Sequence, residues 1–272
     1  MAATIAERGR GRKAPFVVGL CGPQGSGKST AVQAIANHLA QDGVTSAVMP
    51  IDDLYLTRGE RRELARRVHP LLATRGPPGT HDVALGLEIL TALGESREVR
   101  APRFDKAMDD RVPQGEWPVI SAPVDCVLFE GWCVGARPQP DNDLVAPVNA
   151  LEAREDLDGV WRRFVNSALA GTYQTLFARI DLQLLIRAPD FQQVLIWRTQ
   201  QEEALRRDGD GPAVMGDAEL ARFVQHYERL TRWIDAEMPG RADIVVELEA
   251  DRTLRRLTIR DAPFEPLPQL RG

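Results

Sequence analysis

The feature that most limits how this chain can fold is a glycine-rich stretch near its beginning, GPQGSGKST at residues 22–30. The short apolar run APFVVGLC precedes it, and the segment STAVQAIANHLAQDG places its apolar residues on one helical face. This arrangement predicts a tight loop between a buried strand and an amphipathic helix. Within the stretch, Gly22, Gly27, Lys28 and Ser29 match the Walker A spacing G-x-x-x-x-G-K-[ST] without a mismatch.

The residue types of this loop are those that phosphate binding requires. Glycines let the backbone curl so that successive N–H groups point inward, and the positive end of the following helix also attracts an anion. Lys28 can reach the β- and γ-phosphates of a nucleotide, and the Ser29 hydroxyl is available to Mg²⁺. The sequence therefore predicts a triphosphate site formed by Gly22, Pro23, Gln24, Gly25, Ser26, Gly27, Lys28, Ser29 and Thr30.

Strand-like and helix-like segments alternate along the rest of the 272 residues, which is typical of a parallel sheet covered by helices on both faces. We expect an α/β fold of the P-loop NTPase type, doubly wound and mainly parallel, with a helical lid at about residues 198–216. A single domain is predicted over residues 15–260. It lies between a flexible tail at residues 1–14 and an extended, proline-rich tail at residues 261–272.

Charge and composition argue against several classes of partner. The net charge of −5 provides no general attraction to nucleic acid, and no apolar run approaches the 18 residues that a membrane helix needs. Cys126 and Cys21 fall in apolar strand-like runs and Cys133 follows closely, which indicates buried thiols in a reducing compartment. We therefore expect a cytoplasmic protein whose partner is a small molecule.

Acidic residues follow two of the predicted strands. Asp52 and Asp53 end the run VTSAVMPIDD, and Glu130 stands at the end of PVDCVLFEG. Because ligands of such sheets bind beyond the carboxyl ends of the strands, we expect these carboxylates beside the phosphate loop. Asp52 is the predicted base toward an acceptor hydroxyl, and Ser29, Glu130 and Asp52 are the predicted Mg²⁺ ligands. The structural alternative is that the two aspartates cap a helix.

A phosphate loop alone leaves the reaction open, because kinases, GTPases, motors and transport ATPases all use one. The chain contains neither the guanine-reading motif N-K-x-D nor the transporter motif L-S-G-G-Q. Glu130 is a single acidic residue where many water-activating ATPases carry an Asp-Glu pair. These observations favour phosphoryl transfer to an alcohol. A nucleotide-binding switch protein without acceptor turnover is the alternative from a different class.

The segments IDDLYLT, RGPPGTHDV, PRFDKAMDDR, FEGWCVGARP and WRTQQEEALRRDG occur in the order found in D-glycerate 3-kinases of the P-loop type. Over about residues 15–250 the chain resembles that family, which is similar to uridine kinase, phosphoribulokinase and bacterial pantothenate kinase. The resemblance implies that ATP, with Mg²⁺, phosphorylates D-glycerate to 3-phosphoglycerate. A nucleoside, pantothenate or a sugar phosphate remains an alternative acceptor, and the 2-hydroxyl of glycerate an alternative position.

The resemblance also assigns roles to residues. It implies that Lys28, Asp52 and Glu130 are catalytic. The implied substrate contacts are Asp52, Asp53, Tyr55, His81, Asp82, Arg103, Lys106, Arg111 and Arg137. Arg198, Arg206 and Arg207 lie on the predicted lid helix and are expected to close on the ATP phosphates. The structural alternatives are that His81 and Asp82 cap the next helix and that the basic residues are solvated surface charges.

Lysine is rare in this chain, which draws attention to the positions that retain it. Of the 34 basic residues only Lys13, Lys28 and Lys106 are lysines. A compact ammonium fits between a carboxylate and a phosphate better than the planar arginine fork does. We therefore expect Lys106 to contribute to binding the carboxylate of a hydroxy acid.

Overall fold

The computed structural model of the protein describes residues 1–207 and 215–260, without the side chains of Leu205 and Arg206. The helices in these residues are α1 (Ala2–Gly9), α2 (Lys28–Gln41), α3 (Arg58–Arg67), α4 (Val83–Gly94), α5 (Ala150–Glu155), α6 (Val160–Ala170), α7 (Thr172–Phe177), α8 (Phe191–Arg207) and α9 (Asp217–Glu237). The strands are β1 (Phe16–Cys21), β2 (Ser46–Pro50), β3 (Val99–Arg100), β4 (Phe104–Asp105), β5 (Asp110–Arg111), β6 (Val119–Ile120), β7 (Cys126–Gly131), β8 (Leu182–Arg187), β9 (Ile244–Leu248) and β10 (Leu254–Ile259). The predicted tail at residues 261–272 and residues 208–214 of the predicted lid lie outside the described residues.

The strands of the main sheet follow the spatial order β10-β9-β8-β1-β7-β2. Strands β2, β7, β1, β8 and β9 are parallel, and β10 returns antiparallel to β9 as a hairpin. Every residue of two interior strands, FVVGLC in β1 and CVLFEG in β7, is buried, as expected for strands covered on both faces. The prediction of a doubly wound, mainly parallel α/β fold is confirmed.

Each face of the sheet has its own apolar core, because successive side chains of a strand point to opposite faces. Val18 and Leu20 of β1 pack in a cluster with residues of α2 and with Trp197 of α8. Val17 and Cys21 belong to the opposite cluster, which contains residues of α4, α7 and α9. None of the helices in the described parts of the chain is both long and apolar enough to cross a bilayer.

The structure of residues 2–9 differs from the flexible tail that the sequence predicts for residues 1–14. Residues 2–9 form helix α1, whose Ile5 is 1% exposed and packs in the same cluster as Phe16. Arg8 forms a 2.8 Å ion pair with Asp243 and donates a hydrogen bond to the carbonyl of Arg260. The basic residues of this segment suggested a solvated tail. The physical reason for the difference is that one apolar side chain and one paired arginine fix the helix against the sheet.

Local turns bring the acidic residues to the carboxyl edge of the sheet. Strand β2 ends at Pro50, and Ile51–Leu54 form a turn of 3-10 helix, so Asp52 and Asp53 lie on that turn beyond the strand. Residues 104–111 form a small antiparallel hairpin from β4 and β5. Glu130 lies on β7, in register with the ends of β1 and β2. The carboxylates and the glycine-rich loop therefore share one edge.

Candidate active site

The glycine-rich loop connects β1 to α2 and has the backbone of an anion site. Gly25 has a φ of +73°, and a Cβ atom at this position would lie 2.7 Å from the Cβ of Trp197. A side chain at residue 25 would therefore meet both a strained backbone and a neighbouring helix. Lys28 opens α2, and its Nζ donates to the carbonyl of Pro23 at 3.0 Å. The loop thus combines a helix N-terminus with a lysine ammonium, which fits a phosphate group.

The turn between β9 and β10 holds this loop from outside. The Nε of Arg252 donates to the carbonyl of Gly25 at 2.8 Å, and its guanidinium lies 5.1 Å from the centre of the Trp197 ring. The Nε1 of Trp197 donates in turn to the carbonyl of Ala250 at 2.7 Å. We refer to Gly25, Trp197, Ala250 and Arg252 as the loop clasp. The sequence alone does not reveal the loop clasp, because its members are separated by up to 227 residues.

Glu130 stands next to the loop at the end of β7. The Oγ of Ser29 donates to its Oε1 at 3.1 Å, and Glu130 is only 8% exposed. Burial raises the pKa of Glu130, against the attraction of Lys28. A hydroxyl and one or two carboxylates suit Mg²⁺, which usually keeps waters and phosphate oxygens as its other ligands. Within the described residues no group of three or more His, Cys, Asp or Glu is arranged to hold a metal without such help.

Asp52 is held by two donors on opposite oxygens. The hydroxyl of Tyr55 donates to Oδ1 at 2.6 Å, and the Nζ of Lys106 donates to Oδ2 at 2.7 Å. Burial raises the pKa of Asp52, but the attraction of Lys106 and these hydrogen bonds outweigh it and lower the pKa to about 2. The carboxylate is therefore ionised at neutral pH and positioned by a lysine and a tyrosine.

Asp53 faces a different partner from its neighbour. Its Oδ1 accepts the backbone N–H of Phe104 at 2.9 Å, and its Oδ2 accepts from Nη1 of Arg103 at 3.1 Å. It therefore anchors the β4–β5 hairpin, which carries Lys106, to the turn that carries Asp52. Neither aspartate makes a helix-capping hydrogen bond.

The other predicted substrate residues have protein partners as well. Arg111 donates to the carbonyl of Tyr55 at 2.8 Å and lies 3.4 Å from the carboxylate of Asp82. Asp82 accepts the backbone N–H of Leu85 and so caps α4, as the structural alternative expected. Arg137 lies 3.7 Å from the carboxylate of Glu237. Their substrate roles remain predictions.

His81 lies beside Tyr55 and is 5% exposed. Its Nδ1 is 2.6 Å from the hydroxyl of Tyr173, and its ring lies 4.8 Å from the ring of Tyr55. Burial lowers the pKa of His81 to about 4, although the charge of Asp52 opposes this shift. The imidazole is therefore neutral at neutral pH.

Three further residues of this region are not among those predicted from the sequence. Arg75 forms an ion pair with Asp109, and its guanidinium lies 5.6 Å from the ring of Phe104. The hydroxyl of Tyr227 donates to the carbonyl of Arg75 at 2.8 Å. Tyr173 contacts His81, as described above. Arg75 precedes GPPGTHD directly and could have been noticed as a cation in that segment, whereas the tyrosines sit in apolar helices that look like core.

Helix α8 leads into the predicted lid, and two of its arginines contact groups of the same helix. Arg198 forms a 2.7 Å ion pair with Glu202, and the other oxygen of Glu202 accepts the backbone N–H of Met215 at 2.9 Å. The Nε of Arg207 lies 3.4 Å from the carbonyl of Glu203 in its own helix. The side chain of Arg206 lies outside the described residues. Binding of ATP phosphates by these arginines stays a prediction.

Comparisons with known proteins agree with this geometry. Residues 17–136 match the model of the phosphoribulokinase / uridine kinase family. The chain is 37% identical over 226 residues to Uncharacterized kinase mug58 of Schizosaccharomyces pombe, covering 78% of each chain. It is 35% identical over 224 residues to the chloroplastic D-glycerate 3-kinase of Arabidopsis thaliana, covering 78% of this chain but 46% of the plant protein.

A solved structure extends the similarity to almost the whole chain. The D-glycerate 3-kinase of Cryptococcus neoformans var. grubii superposes with a TM-score of 0.79 at 27% identity, covering 95% of this chain and 96% of that one. The phosphate loop, the buried acidic strand end and these similarities lead to one conclusion: this chain is a P-loop kinase and belongs to the phosphoribulokinase / uridine kinase family.

Proposed function

We propose that this kinase transfers the γ-phosphate of ATP to the 3-hydroxyl of D-glycerate, giving ADP and 3-phosphoglycerate. The observation that carries the proposal is the pairing of Asp52 with Lys106 at 2.7 Å, at the same sheet edge as the phosphate loop. This pair provides a base that can accept the proton of a hydroxyl and, beside it, a cation that can bind a carboxylate. A hydroxy acid has both of these groups. The names of the Arabidopsis and Cryptococcus proteins support the same acceptor.

The donor nucleotide binds through groups that the loop already presents. Backbone N–H groups and Lys28 contact the β- and γ-phosphates and stabilise the negative charge that develops between them during transfer. Ser29 and Glu130, joined by a 3.1 Å hydrogen bond, would hold Mg²⁺, with Asp52 as a further candidate ligand. When bound, the cation supplies neutralisation of phosphate charge and helps to orient the γ-phosphoryl group. Arg198, Arg206 and Arg207 are proposed to close over the phosphates.

Asp52 receives the proton of the acceptor hydroxyl. As the hydroxyl oxygen forms its bond to the γ-phosphorus, the bond from that phosphorus to the β,γ-bridging oxygen breaks and ADP leaves. A carboxylate with a pKa of about 2 is a weak base, so proton transfer occurs late, when the hydroxyl has become acidic through bonding to phosphorus. Before that point the carboxylate serves mainly to orient the hydroxyl, and Tyr55 fixes its direction.

The acceptor carboxylate needs a cation of its own, because the donor already brings several negative charges. Arg103 and Arg111 lie against Asp53 and Asp82, as described above. The Lys106 side chain is 61% exposed and reaches the base from the solvent side. We therefore infer that Lys106 binds the carboxylate of the acceptor and so holds the acceptor next to Asp52, the proposed base.

The three cysteines of the chain are buried and form no disulfide. This suits a reducing compartment, and we propose the cytoplasm.

An acceptor panel tests the proposed function. ADP release is measured with ATP and Mg²⁺ in the presence of D-glycerate, L-glycerate, uridine, pantothenate, ribulose 5-phosphate or no acceptor. Phosphorus NMR of the product then distinguishes the 3-phosphate from the 2-phosphate. We expect turnover that depends on D-glycerate and a 3-phosphate product. Good turnover of uridine or pantothenate but not of glycerate would contradict the proposed acceptor. Slow ADP release that no acceptor stimulates would favour a nucleotide-binding switch protein.

A further inference from the structure

His81 has one ring nitrogen that the protein satisfies and one that it does not. Nδ1 is 2.6 Å from the hydroxyl of Tyr173, whereas Nε2 is buried and has no hydrogen-bond partner among the described residues. The histidine is 5% exposed, so bulk water does not solvate this atom freely. A buried polar atom without a partner is unfavourable unless water or a ligand completes its hydrogen bond.

The position of the proton on His81 follows from the hydrogen bonds of Tyr173. A phenol has one hydrogen to donate and lone pairs that accept. The hydroxyl oxygen of Tyr173 accepts the backbone N–H of Gly79 at 2.9 Å. Its own hydrogen needs an acceptor, and Nδ1 of His81 is the acceptor group that lies within reach in the described structure. With Nδ1 as that acceptor, the proton of the neutral ring is on Nε2.

We propose that His81 is a neutral hydrogen-bond donor to an oxygen of the acceptor substrate, and that Tyr173 is a positioning residue that fixes its Nε2–H tautomer. The donor belongs to the acceptor half of the site, because the His81 ring packs on Tyr55, whose hydroxyl holds the base Asp52. The substrate role rests on the proposed function, whereas the tautomer can be measured without any substrate.

A neutral donor suits the neighbourhood of Asp52. An imidazolium there would form a second ion pair with the base, in addition to Lys106, and would weaken it further. A neutral N–H instead holds an uncharged or anionic oxygen without adding charge. Burial favours the neutral ring, since the pKa of His81 is lowered to about 4.

The chain contains its own control for the tautomer. His226 is also buried, its Nε2 also has no hydrogen-bond partner among the described residues, and its pKa is also lowered to about 4. Its Nδ1 lies 3.2 Å from the carbonyl oxygens of Arg222 and Phe223, which only accept hydrogen bonds. Nδ1 of His226 must therefore carry the proton. Two buried neutral histidines in one protein are expected to be opposite tautomers.

Nitrogen NMR tests the tautomer directly. Long-range ¹H–¹⁵N correlation spectra of the ¹⁵N-labelled full chain at pH 7.5 distinguish a protonated from an unprotonated ring nitrogen, and His81→Gln and His226→Gln assign the two signals. We expect an Nε2–H ring for His81 and an Nδ1–H ring for His226. An Nδ1–H ring or an imidazolium at His81 would overturn the proposal whatever the acceptor is.

Kinetics test the substrate contact, using whichever acceptor the panel identifies. Glutamine places an amide N–H near the position of Nε2–H, whereas asparagine places one near Nδ1. His81→Gln is expected to keep the acceptor KM within about threefold, and His81→Asn to raise it about tenfold, the effect of one lost hydrogen bond. The KM for ATP should stay unchanged in both, as should all constants in the control His226→Gln. Equal effects of glutamine and asparagine would contradict a donor role for Nε2.

Tyr173→Phe tests whether Tyr173 acts by positioning His81, which is the proposed substrate contact. Without the hydroxyl, His81 should show a mixture of tautomers in the NMR spectrum, and the acceptor KM should rise a few-fold with little change in kcat. A purely structural role for Tyr173 would change the melting temperature but leave the His81 tautomer as it was, and that result would refute the positioning role.

Discussion

The two halves of the proposed active site are built in opposite ways. On the donor side, nine consecutive residues, 22–30, form one loop and the first turn of α2, and backbone N–H groups are proposed to make most of the phosphate contacts. On the acceptor side, side chains join segments that lie far apart in the chain: Asp53 binds Arg103, Asp52 binds Lys106, and Arg111 binds the carbonyl of Tyr55. The nucleotide is therefore expected to bind to a local motif. Long-range contacts hold the residues that are proposed to bind the acceptor.

This difference implies different responses to substitution. Removing a side chain on the donor side is expected to remove a catalytic group and to leave the loop backbone in place. Removing an acceptor-side charge also loosens the hairpin or turn that it anchors. The variants below test this contrast, in order of the expected effect.

Lys28→Ala should give the largest loss, roughly a thousandfold or more in kcat, because the ammonium stabilises charge that grows on the phosphates during transfer. The fold should persist, since the only side-chain hydrogen bond described for Lys28 is to Pro23. Steady-state kinetics and circular dichroism measure both quantities. Lys13→Ala, which removes an exposed lysine, is the matched control and should be silent. Normal turnover of a folded Lys28→Ala protein would refute the role of the loop.

Asp52→Asn should lower kcat by about 10²- to 10⁴-fold with little change in the KM for ATP, because the amide keeps the size but cannot take a proton. Asp53→Asn should be milder in kcat and act mainly on the acceptor KM, because Asp53 anchors the hairpin that carries Lys106. Both substrates are varied in turn for each variant. A larger kcat loss in Asp53→Asn would reverse the assignment of the base.

Lys106→Ala should raise the KM for D-glycerate about tenfold, a loss of about 1.4 kcal/mol, and change the KM for ATP less. It should also raise the pKa of Asp52, since Lys106 is the main charge that lowers it. The pH dependence of kcat/KM for the acceptor measures this second effect and should shift its acidic limb to higher pH. Arg103→Ala is the comparison, and it should affect stability more than the acidic limb. An unchanged acceptor KM in Lys106→Ala would remove the proposed carboxylate contact.

The last prediction concerns stability and not turnover: the free energy of unfolding should depend on pH. Burial lowers the pKa of His81 and His226 to about 4 in the folded protein, below their unfolded value of about 6.5. Between these values the unfolded chain binds more protons, so the free energy of unfolding decreases as the pH falls from 6.5 to 4, by at most about 1.4 kcal/mol per pH unit for each histidine. Urea titrations across this range should show a shallower slope for His226→Gln than for the parent protein. Parallel slopes would contradict the pKa of His226.

The fold and the donor side could be predicted because their signals are local. The loop spacing and the alternation of apolar runs identified β1, α2 and the parallel sheet, and strand ends placed Asp52 and Glu130 near the loop. The partners of these residues could not be predicted, because Lys106 reaches Asp52 across 54 positions and Tyr173 reaches His81 across 92. Helix α1 was missed for a related reason: its stability comes from Ile5 and from Arg8 bound to Asp243, not from local sequence.

The loop clasp places an intrinsic optical probe at the donor site. The indole of Trp197 is fully buried, its N–H is bonded to Ala250, and its Cβ lies against Gly25 of the phosphate loop. Fluorescence of an indole depends on its local electric field, and a nucleotide brings several charges to a loop in direct contact with this one. Titration with nucleotide should therefore change the emission of Trp197, and Trp197→Phe should isolate its contribution from those of the other four tryptophans. The same contact that shapes the loop would let its occupancy be followed in real time without a label.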